Sequence, residues 1–313
     1  EAYFYRRILE ATHYFIPGEW QGYDPFEGQK NLGIATSMDS IKALSALVNQ
    51  WIYAEPDGKL QWNRSNFITL LSIDLWGNRV DLSLWPAEEG DRSIIDIHRE
   101  QPYILVDDSD AIATKVASFT GARIDFIIDN AGFELVGDLC LVDFLLATNA
   151  AQTIYLHLKS HPTFVSDATI KDIHQTLKTL GTECNPEVRV FASRLQDYIS
   201  DGRLQLCEDL FWTSPLAFWE MPEGLQLELA KSDLTFVKGD ANYRRLLGDR
   251  HWPFTTPFPE IVSYFPSSMV ALRTLKAELA SGLQPTQVET LNQKDPQWLT
   301  NGRWGVIQGN FRF

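Results

Sequence analysis

From residue 123 onward, short apolar runs alternate with amphipathic segments, and that alternation most narrows the folds open to the chain. RIDFIID (123–129), TIYLHLK (153–159), RLQLCED (203–209), DLTFVKGD (233–240) and MVALRTLK (269–276) read as strands. Between the first two, Leu135, Leu139, Val142 and Leu146 share one helical side. Ile170, Ile173, Leu177 and Leu180 recur at helical spacing in a helix expected to open at Ser166. Short strands alternating with helices predict an α/β fold, a mostly parallel sheet covered on both faces. The proline-rich HWPFTTPFP (251–259) reads as a loop.

The chain changes character near residue 100. In SIKALSALVNQWI (40–52), Ile41, Leu44, Leu47 and Val48 fall on one helical face. SNFITLLSIDLW (65–76) reads as a second helix, with Ser65 as a candidate N-cap. GYDPF and GNRVDLSLWP supply turns. Trp20, Trp51, Trp62, Trp76 and Trp85 read as packing residues, the ordinary use of so large an apolar side chain.

Composition limits the function classes. A net charge of −14 argues against a general binder of nucleic acid or anionic membrane. An anionic ligand would need locally gathered cations. Cys140, Cys184 and Cys207 form no CxxC pair and suit a reducing, cytoplasmic compartment. No uninterrupted apolar run is long enough to span a membrane, since LCLVDFLLA is broken by Asp143. EAYFYRRILEATHYF carries no secretory apolar region, and a start on Glu1 without Met points to a processed or fragmentary chain.

Four polar clusters fall where strands end, which is where open α/β sheets bind ligands. Asp129 and Asn130 close the first strand, with Glu134 one helical turn on. Asp167 follows the second, KGDANYR (238–244) ends another, and Arg273 and Lys276 end the last. Each has a plain alternative. Asn130, Ser166 or Asp167, and Asp240 could be helix N-caps, and Glu134 a first-turn acid favoured by the helix dipole. Converging acids would need a cation, however, and Lys238, Arg244, Arg273 and Lys276 together would form an anion receptor in an acidic chain. The Asp-Asn-Asp oxygen set favours a hard cation such as Mg²⁺ or Mn²⁺ over structural zinc. His157 and His161 read as ordinary structural residues, and no HExxH occurs.

DNAGFEL (129–135), FVSDAT (164–169), KGDANYRRLLGDRHWPF (238–254) and RTLK (273–276) together resemble the metal-dependent damage-control phosphatases, formerly a domain of unknown function. The Arg273, Thr274, Lys276 element resembles the RTxK motif of the third subfamily, the sugar-phosphate phosphatases. The likeness extends over YFYRRI, LWGNRVDLSL (75–84) and RWGVIQ, nearly the whole chain. It implies a mainly helical subdomain over 1–100, lacking a further upstream helical segment, beside a three-layer α/β/α core over 101–313. It implies one divalent cation (Mn, Ni, Co or Mg) at Asp129, Asn130 and Asp167. Substrate contacts carried over by motif are Glu134, Asp240, Ala241, Asn242, Tyr243, Arg244 and Lys276.

The expected chemistry is hydrolysis of a small phosphorylated sugar by a cation-activated water. Asp240 or Glu134 would orient the water or a sugar hydroxyl. Gly132 would keep the helix entrance open to an anion. A covalent phosphate on Asp129 is disfavoured, because position 131 is Ala where aspartate-nucleophile phosphatases carry a second Asp. Two rivals remain. Some relatives are described as S-adenosylmethionine-dependent protein-glutamate methyltransferases, although DNAGFE offers one Gly and two carboxylates, a poor seat for that cofactor. A non-enzymatic sugar-phosphate-binding module would keep the lysines without needing the Asp-Asn-Asp set. The oligomeric state is left open.

Overall fold

The computed structural model describes residues 1–53, 62–77 and 101–312. Four helices precede the sheet: α1 (Ala2–Ala11), α2 (Glu27–Thr36), α3 (Met38–Tyr53) and α4 (Arg64–Trp76). Then follow β1 (Ile104–Asp107), α5 (Ser109–Ala117), β2 (Arg123–Ile127), α6 (Phe133–Ala147) and β3 (Thr153–Lys159). Next come α7 (Ile170–Gly181), α8 (Pro186–Ser200), β4 (Leu204–Asp209), α9 (Glu223–Leu229), β5 (Leu234–Lys238) and α10 (Asp240–Leu246). The chain closes with α11 (Phe258–Ile261), β6 (Met269–Thr274), α12 (Pro285–Lys294) and β7 (Gly305–Asn310).

The seven strands form one sheet in the order β1-β7-β6-β5-β2-β3-β4. Every neighbouring pair is parallel except β6 with β7. Side chains alternate across it. Phe126 and Ile128, Leu234 and Phe236, Val270 and Leu272 face one hydrophobic cluster, while Ile127, Val237, Met269 and Ala271 face the other. Phe126 and Phe236, opposite each other in β2 and β5, stack with centroids 4.6 Å apart. Helices cover both faces, so the expected α/β sandwich with a mostly parallel sheet is what forms.

Ile41, Leu44 and Val48 of α3 and Phe67, Leu70 and Leu71 of α4 join the same cluster as β2, β3 and α6. Among the described residues, α3 and α4 therefore share the core of the sheet. α6 lies beneath them and is buried along its length except at Glu134 and Ala147. Its two internal acids are paired, Asp143 with Arg194 and Asp138 with Lys238.

The helix ends differ from the sequence reading. Asn63, not Ser65, caps α4, its side chain accepting from the Asn66 N–H at 3.0 Å. The helix expected from Ser166 starts at Ile170, where Asp172 accepts from both the N–H and the hydroxyl of Thr169. That frees Ser166 and Asp167 from any capping duty. The turn expected at 77–86 lies outside the described residues beyond Gly77. Among the described residues no helix is long and apolar enough to cross a membrane.

Candidate active site

From β2 the chain runs to β3 and β4 on one side, then returns to β5 and β6 on the other. The sheet order thus reverses between β2 and β5, and loops leaving their carboxyl ends diverge to open a crevice. Two motifs singled out in the sequence arrive there, Asp129-Asn130 after β2 and Lys238-Gly239-Asp240 after β5. They line one cleft with Glu134, Thr274 and Lys276, and with Asp74 to Gly77 from the end of α4.

The strand end is held rigidly. Asn130 and Asp167 form a single antiparallel bridge. The Ala131 N–H donates to the Ser166 carbonyl at 2.7 Å, and the Ala168 N–H to the Asp129 carbonyl at 2.9 Å. The Asn130 amide nitrogen donates to Asp129 Oδ2 and Glu134 Oε2, each at 3.0 Å, while its oxygen accepts from the Ser166 hydroxyl at 2.6 Å. Glu134 thereby fixes the orientation of Asn130. Before Ser166, Phe164 and Val165 adopt φ of 47° and 68°. Consecutive left-handed residues without glycine, one of them β-branched, cost roughly 1–3 kcal/mol each. This strained turn delivers Ser166 and Asp167 to the strand end, and the Phe164 ring packs on Tyr5 of α1 at 5.3 Å.

Charge at this point is unbalanced. Asp129 and Asp167 are only 6% and 2% exposed. Asp129 Oδ1 and Asp167 Oδ2 are buried without a well-formed hydrogen bond. Burial pushes the Asp129 carboxyl well above the usual range, and the carboxylates of Asp167 and Glu134 push it further, against the opposing pull of Lys159 and Lys276. Burial raises Asp167 too, opposed by Lys159 and Lys30. Gly239, the N-cap of α10, has φ of 83°, and a Cβ there would collide with the Asp129 carboxylate. Glycine is required both for the backbone angle and for the close approach of β5 to that side chain. None of the candidate acids serves as a cap: Gly132 and Gly239 hold those positions at α6 and α10.

The expected anion receptor is only partly assembled. Lys276 is exposed and lines the cleft. Lys238 is instead locked below it, with Nζ at 2.5 Å from Asp74 Oδ1 and 3.0 Å from Asp138 Oδ1. Arg273 is also buried. Its Nε donates to Asp240 Oδ1 at 2.8 Å, and its two amino groups donate to the Leu279 and Ala277 carbonyls. Arg244 grips Asp249 with two bonds of 3.0 Å and reaches Glu1. Desolvation explains these departures: a cation buried beside the sheet needs an acid or carbonyl partner, and Lys238 and Arg273 have found theirs inside the protein. Among the implied substrate contacts, the Asn242 and Tyr243 side chains are buried, the latter donating to Gln308 at 2.6 Å. Ala241 sits in the first turn of α10. Thr274 lines the cleft, and Asp240 Oδ1 accepts from Arg273 and from the Lys276 N–H.

Two features escaped the sequence reading. Asp74 and Asp138 are the partners of Lys238, and the visible signal was an acid set among apolar residues in each of two helices. Lys159 closes β3 and lies 3.2 Å from Asp167, its signal a lysine ending an apolar strand. His157 Nε2 donates to the buried Asp125 carboxylate at 2.8 Å, and His161 contacts the Pro162 carbonyl. Among the described residues, no three His, Cys, Asp or Glu side chains cluster as a metal site, so the candidate set is two carboxylates and an amide.

Comparison with known proteins places this geometry in a family. The model of the damage-control phosphatase ARMT1-like domain matches residues 1–291. Damage-control phosphatase ARMT1 of Rattus norvegicus is 37% identical over 98% of this chain and 72% of its own length. The protein of the same name from Danio rerio is 36% identical over 98% and 72%, and that from Homo sapiens 34% over 98% and 73%. A solved structure of a DUF89 family protein from Pyrococcus horikoshii overlays with a TM-score of 0.49 at 16% identity, covering 92% of this chain and 75% of that one. With relatives above 30% identity matched along almost all its length, the chain belongs to the damage-control phosphatase ARMT1-like family, whose enzyme class is that of a phosphatase.

Proposed function

We propose that the chain hydrolyses phosphate monoesters of small sugars as metabolite damage control, with a divalent cation held by Asp129, Asn130 and Asp167. The observation that carries this reading is the pair of buried carboxylates at the switch point: Asp129 Oδ1 accepts no hydrogen bond, and Asp167 Oδ2 meets only the Lys159 ammonium, at 3.2 Å. Two such groups repel each other unless a cation lies between them. The donor set fits one: it is all oxygen, and glycine at 239 lets β5 approach Asp129 with no side chain in the way. Oxygen donors alone do not choose between Mn²⁺, Ni²⁺, Co²⁺ and Mg²⁺.

Such a cation would polarise the phosphoryl group and make bound water more acidic. The chain's own residues supply the positioning. Asn130 is held by Glu134 and Ser166, so its oxygen keeps one direction. Asp240 has Oδ1 occupied by Arg273 and the Lys276 N–H, which leaves Oδ2 for a water or a sugar hydroxyl. The Lys276 ammonium has no ion-pair partner among the described residues and is the natural contact for phosphate oxygens, where charge stabilisation counts most. The test is to strip the protein of metal, restore single ions, and measure inorganic phosphate released from a sugar-phosphate panel beside methyl transfer from S-adenosylmethionine. Ion-dependent phosphate release, lost with chelator, is expected. Undiminished turnover in a verified metal-free sample, or methyl transfer alone, would reject the reading.

A further inference from the structure

We propose that Lys159 is a positioning residue for this reaction: its buried ammonium holds the Asp167 carboxylate against the Asp129–Asn130 strand end, so that both carboxylates converge on one cation. The inference rests on the phosphatase reading above. Lys159 is 2% exposed and does not line the cleft, so it acts through Asp167 and not on substrate. Its grip on the Asp167 segment is double. The Lys159 N–H donates to the Ala168 carbonyl at 2.9 Å, and the Ala168 N–H in turn donates to the Asp129 carbonyl. Its Nζ lies 3.2 Å from Asp167 Oδ2.

The rest of its surroundings aim the ammonium. Nζ donates to the Trp212 carbonyl at 3.3 Å and to Asn242 Oδ1 at 3.4 Å. Asn242 is itself oriented, its amide nitrogen donating to the Lys238 carbonyl at 2.9 Å. Arg245 shares the Trp212 carbonyl at 3.0 Å, so that carbonyl accepts from two cations. Among the described residues, Asp167 is the one carboxylate that Lys159 touches. These contacts are longer than the 2.7–2.9 Å of a tight charge-assisted bond. Lys238, by contrast, sits at 2.5 Å from its acid. Lys159 therefore restrains Asp167 and offsets its charge without saturating the oxygen, as an orienting neighbour of a metal ligand must.

The experiment uses Lys159→Met, which keeps the stem and removes the charge. Mn²⁺ binding to the metal-stripped protein is measured by calorimetry without substrate, and kcat and KM for a sugar phosphate are measured at rising Mn²⁺. Mn²⁺ affinity is expected to fall about tenfold or more, the usual effect of losing an orienting partner, with KM nearly unchanged and activity recovering at excess Mn²⁺. In an Asp167→Asn background the same change is expected to alter Mn²⁺ affinity less than about twofold, because the route is gone. If Lys159→Met does not fold, Lys159→Gln, which can still donate to the Trp212 carbonyl, carries the same expectation. Unchanged or tighter Mn²⁺ binding would overturn the role, as would an equal loss in the Asp167→Asn background. Absence of Mn²⁺ binding by the unsubstituted protein would overturn the phosphatase reading with it, whereas intact binding in both would remove this role alone.

Discussion

The strand segment of β2 and the turn beyond it carry buried acids in opposite circumstances, Asp125 toward the foot and Asp129 past the head. Toward the foot, Asp125 is fully buried, yet each oxygen is used: Arg123 donates to both at 2.8 Å, and His157 contacts Oδ2 at 2.8 Å. Arg123 also binds Glu228 at 2.7 Å and lies over the Tyr155 ring. Past the head, four residues on, Asp129 has an oxygen with no hydrogen bond and a second carboxylate for a neighbour. The same sheet supplies both places, so the deficit at the head is not a general cost of burying acids here. Asp74 and Asp138 beneath the cleft also keep oxygens without a hydrogen bond, but both meet the Lys238 ammonium. Asp129 has no ion-pair partner among the described residues, and it stands at the switch point, where a ligand would complete it.

Exchanging each acid for its amide separates the two ends most widely. Asp129→Asn and Asp167→Asn should each lower phosphate release about 100-fold or more, the scale of removing a principal electrostatic group from a reaction site. Asp129→Asn should not destabilise the metal-free protein, since it removes one of two repelling charges, whereas Asp167→Asn also leaves the buried Lys159 ammonium without its carboxylate and should cost some stability. Asp125→Asn should do the reverse, costing about 3–5 kcal/mol by leaving Arg123 and His157 unmatched while turnover per folded molecule persists. Urea unfolding and Mn²⁺-dependent turnover on the same preparations decide it. A metal-free Asp129→Asn protein as unstable as Asp125→Asn would erase the contrast.

Gly239→Ala tests the head by geometry instead of charge. The backbone alone should cost about 1–2 kcal/mol at a left-handed position. The new Cβ must also push Asp129 aside, and displacements of this kind cost up to about 100-fold in rate. Gly132→Ala shares the backbone strain, with φ of 78°, but its Cβ would meet nothing within 4 Å. Its loss of turnover should therefore be the smaller of the two. Equal losses would show that strain, and not the place of Asp129, governs both.

The strands were legible because burial leaves an apolar signature: the runs read at 153–159 and 203–209 became Thr153–Lys159 and Leu204–Asp209. β1 and β7 went unread. The first has four residues, and GVIQGN carries two glycines and a glutamine, so neither stands out as an apolar run. Of the candidate site, what one segment supplies was legible. Asp129, Asn130 and Glu134 are neighbours in sequence, and the structure joins them by hydrogen bonds. What depends on distant partners was not. Lys238 looked free for an anion because Asp74, which neutralises it, lies 164 residues away. Asp167 looked like a cap because the competing cap, Thr169 with Asp172, shows only in the backbone path. The family resemblance of the segments pointed to these candidate residues, whereas the charge pairing among them needed the fold.

Lys276→Met addresses the cleft side of the comparison, where an exposed cation faces an acidic strand end. Removing its charge should raise KM for a sugar phosphate about tenfold or more, the net worth of one charged hydrogen bond being about 1.5–3 kcal/mol. Mn²⁺ affinity should stay near normal, or rise slightly as a repelling charge is lost. An equal loss of Mn²⁺ affinity by calorimetry would move Lys276 from the substrate side to the support of the acids.

The smallest effect concerns the foot alone and depends on pH. Burial raises the Asp125 carboxyl, but hydrogen bonds from His157 and Arg123 more than offset it and hold the group below its ordinary range. A carboxyl depressed on folding contributes stability that is complete above its unfolded value, about 3.9, and is lost as pH falls through the lower folded one. Glu228 is depressed in the same sense by Lys231 and Arg123, but its side chain is 39% exposed, and solvent screening leaves it a minor share. The stability gap between the unsubstituted protein and Asp125→Asn should therefore be fully present above about pH 5 and narrow as pH falls below about 4. Urea midpoints taken across that range measure it on metal-free protein, so that nothing bound at the head contributes. A gap that narrows shows that the foot is held by its charge, as the comparison requires. A gap that stays constant to the acid limit would mean that Asp125 serves by shape and neutral hydrogen bonding, and that the two places differ in packing more than in charge.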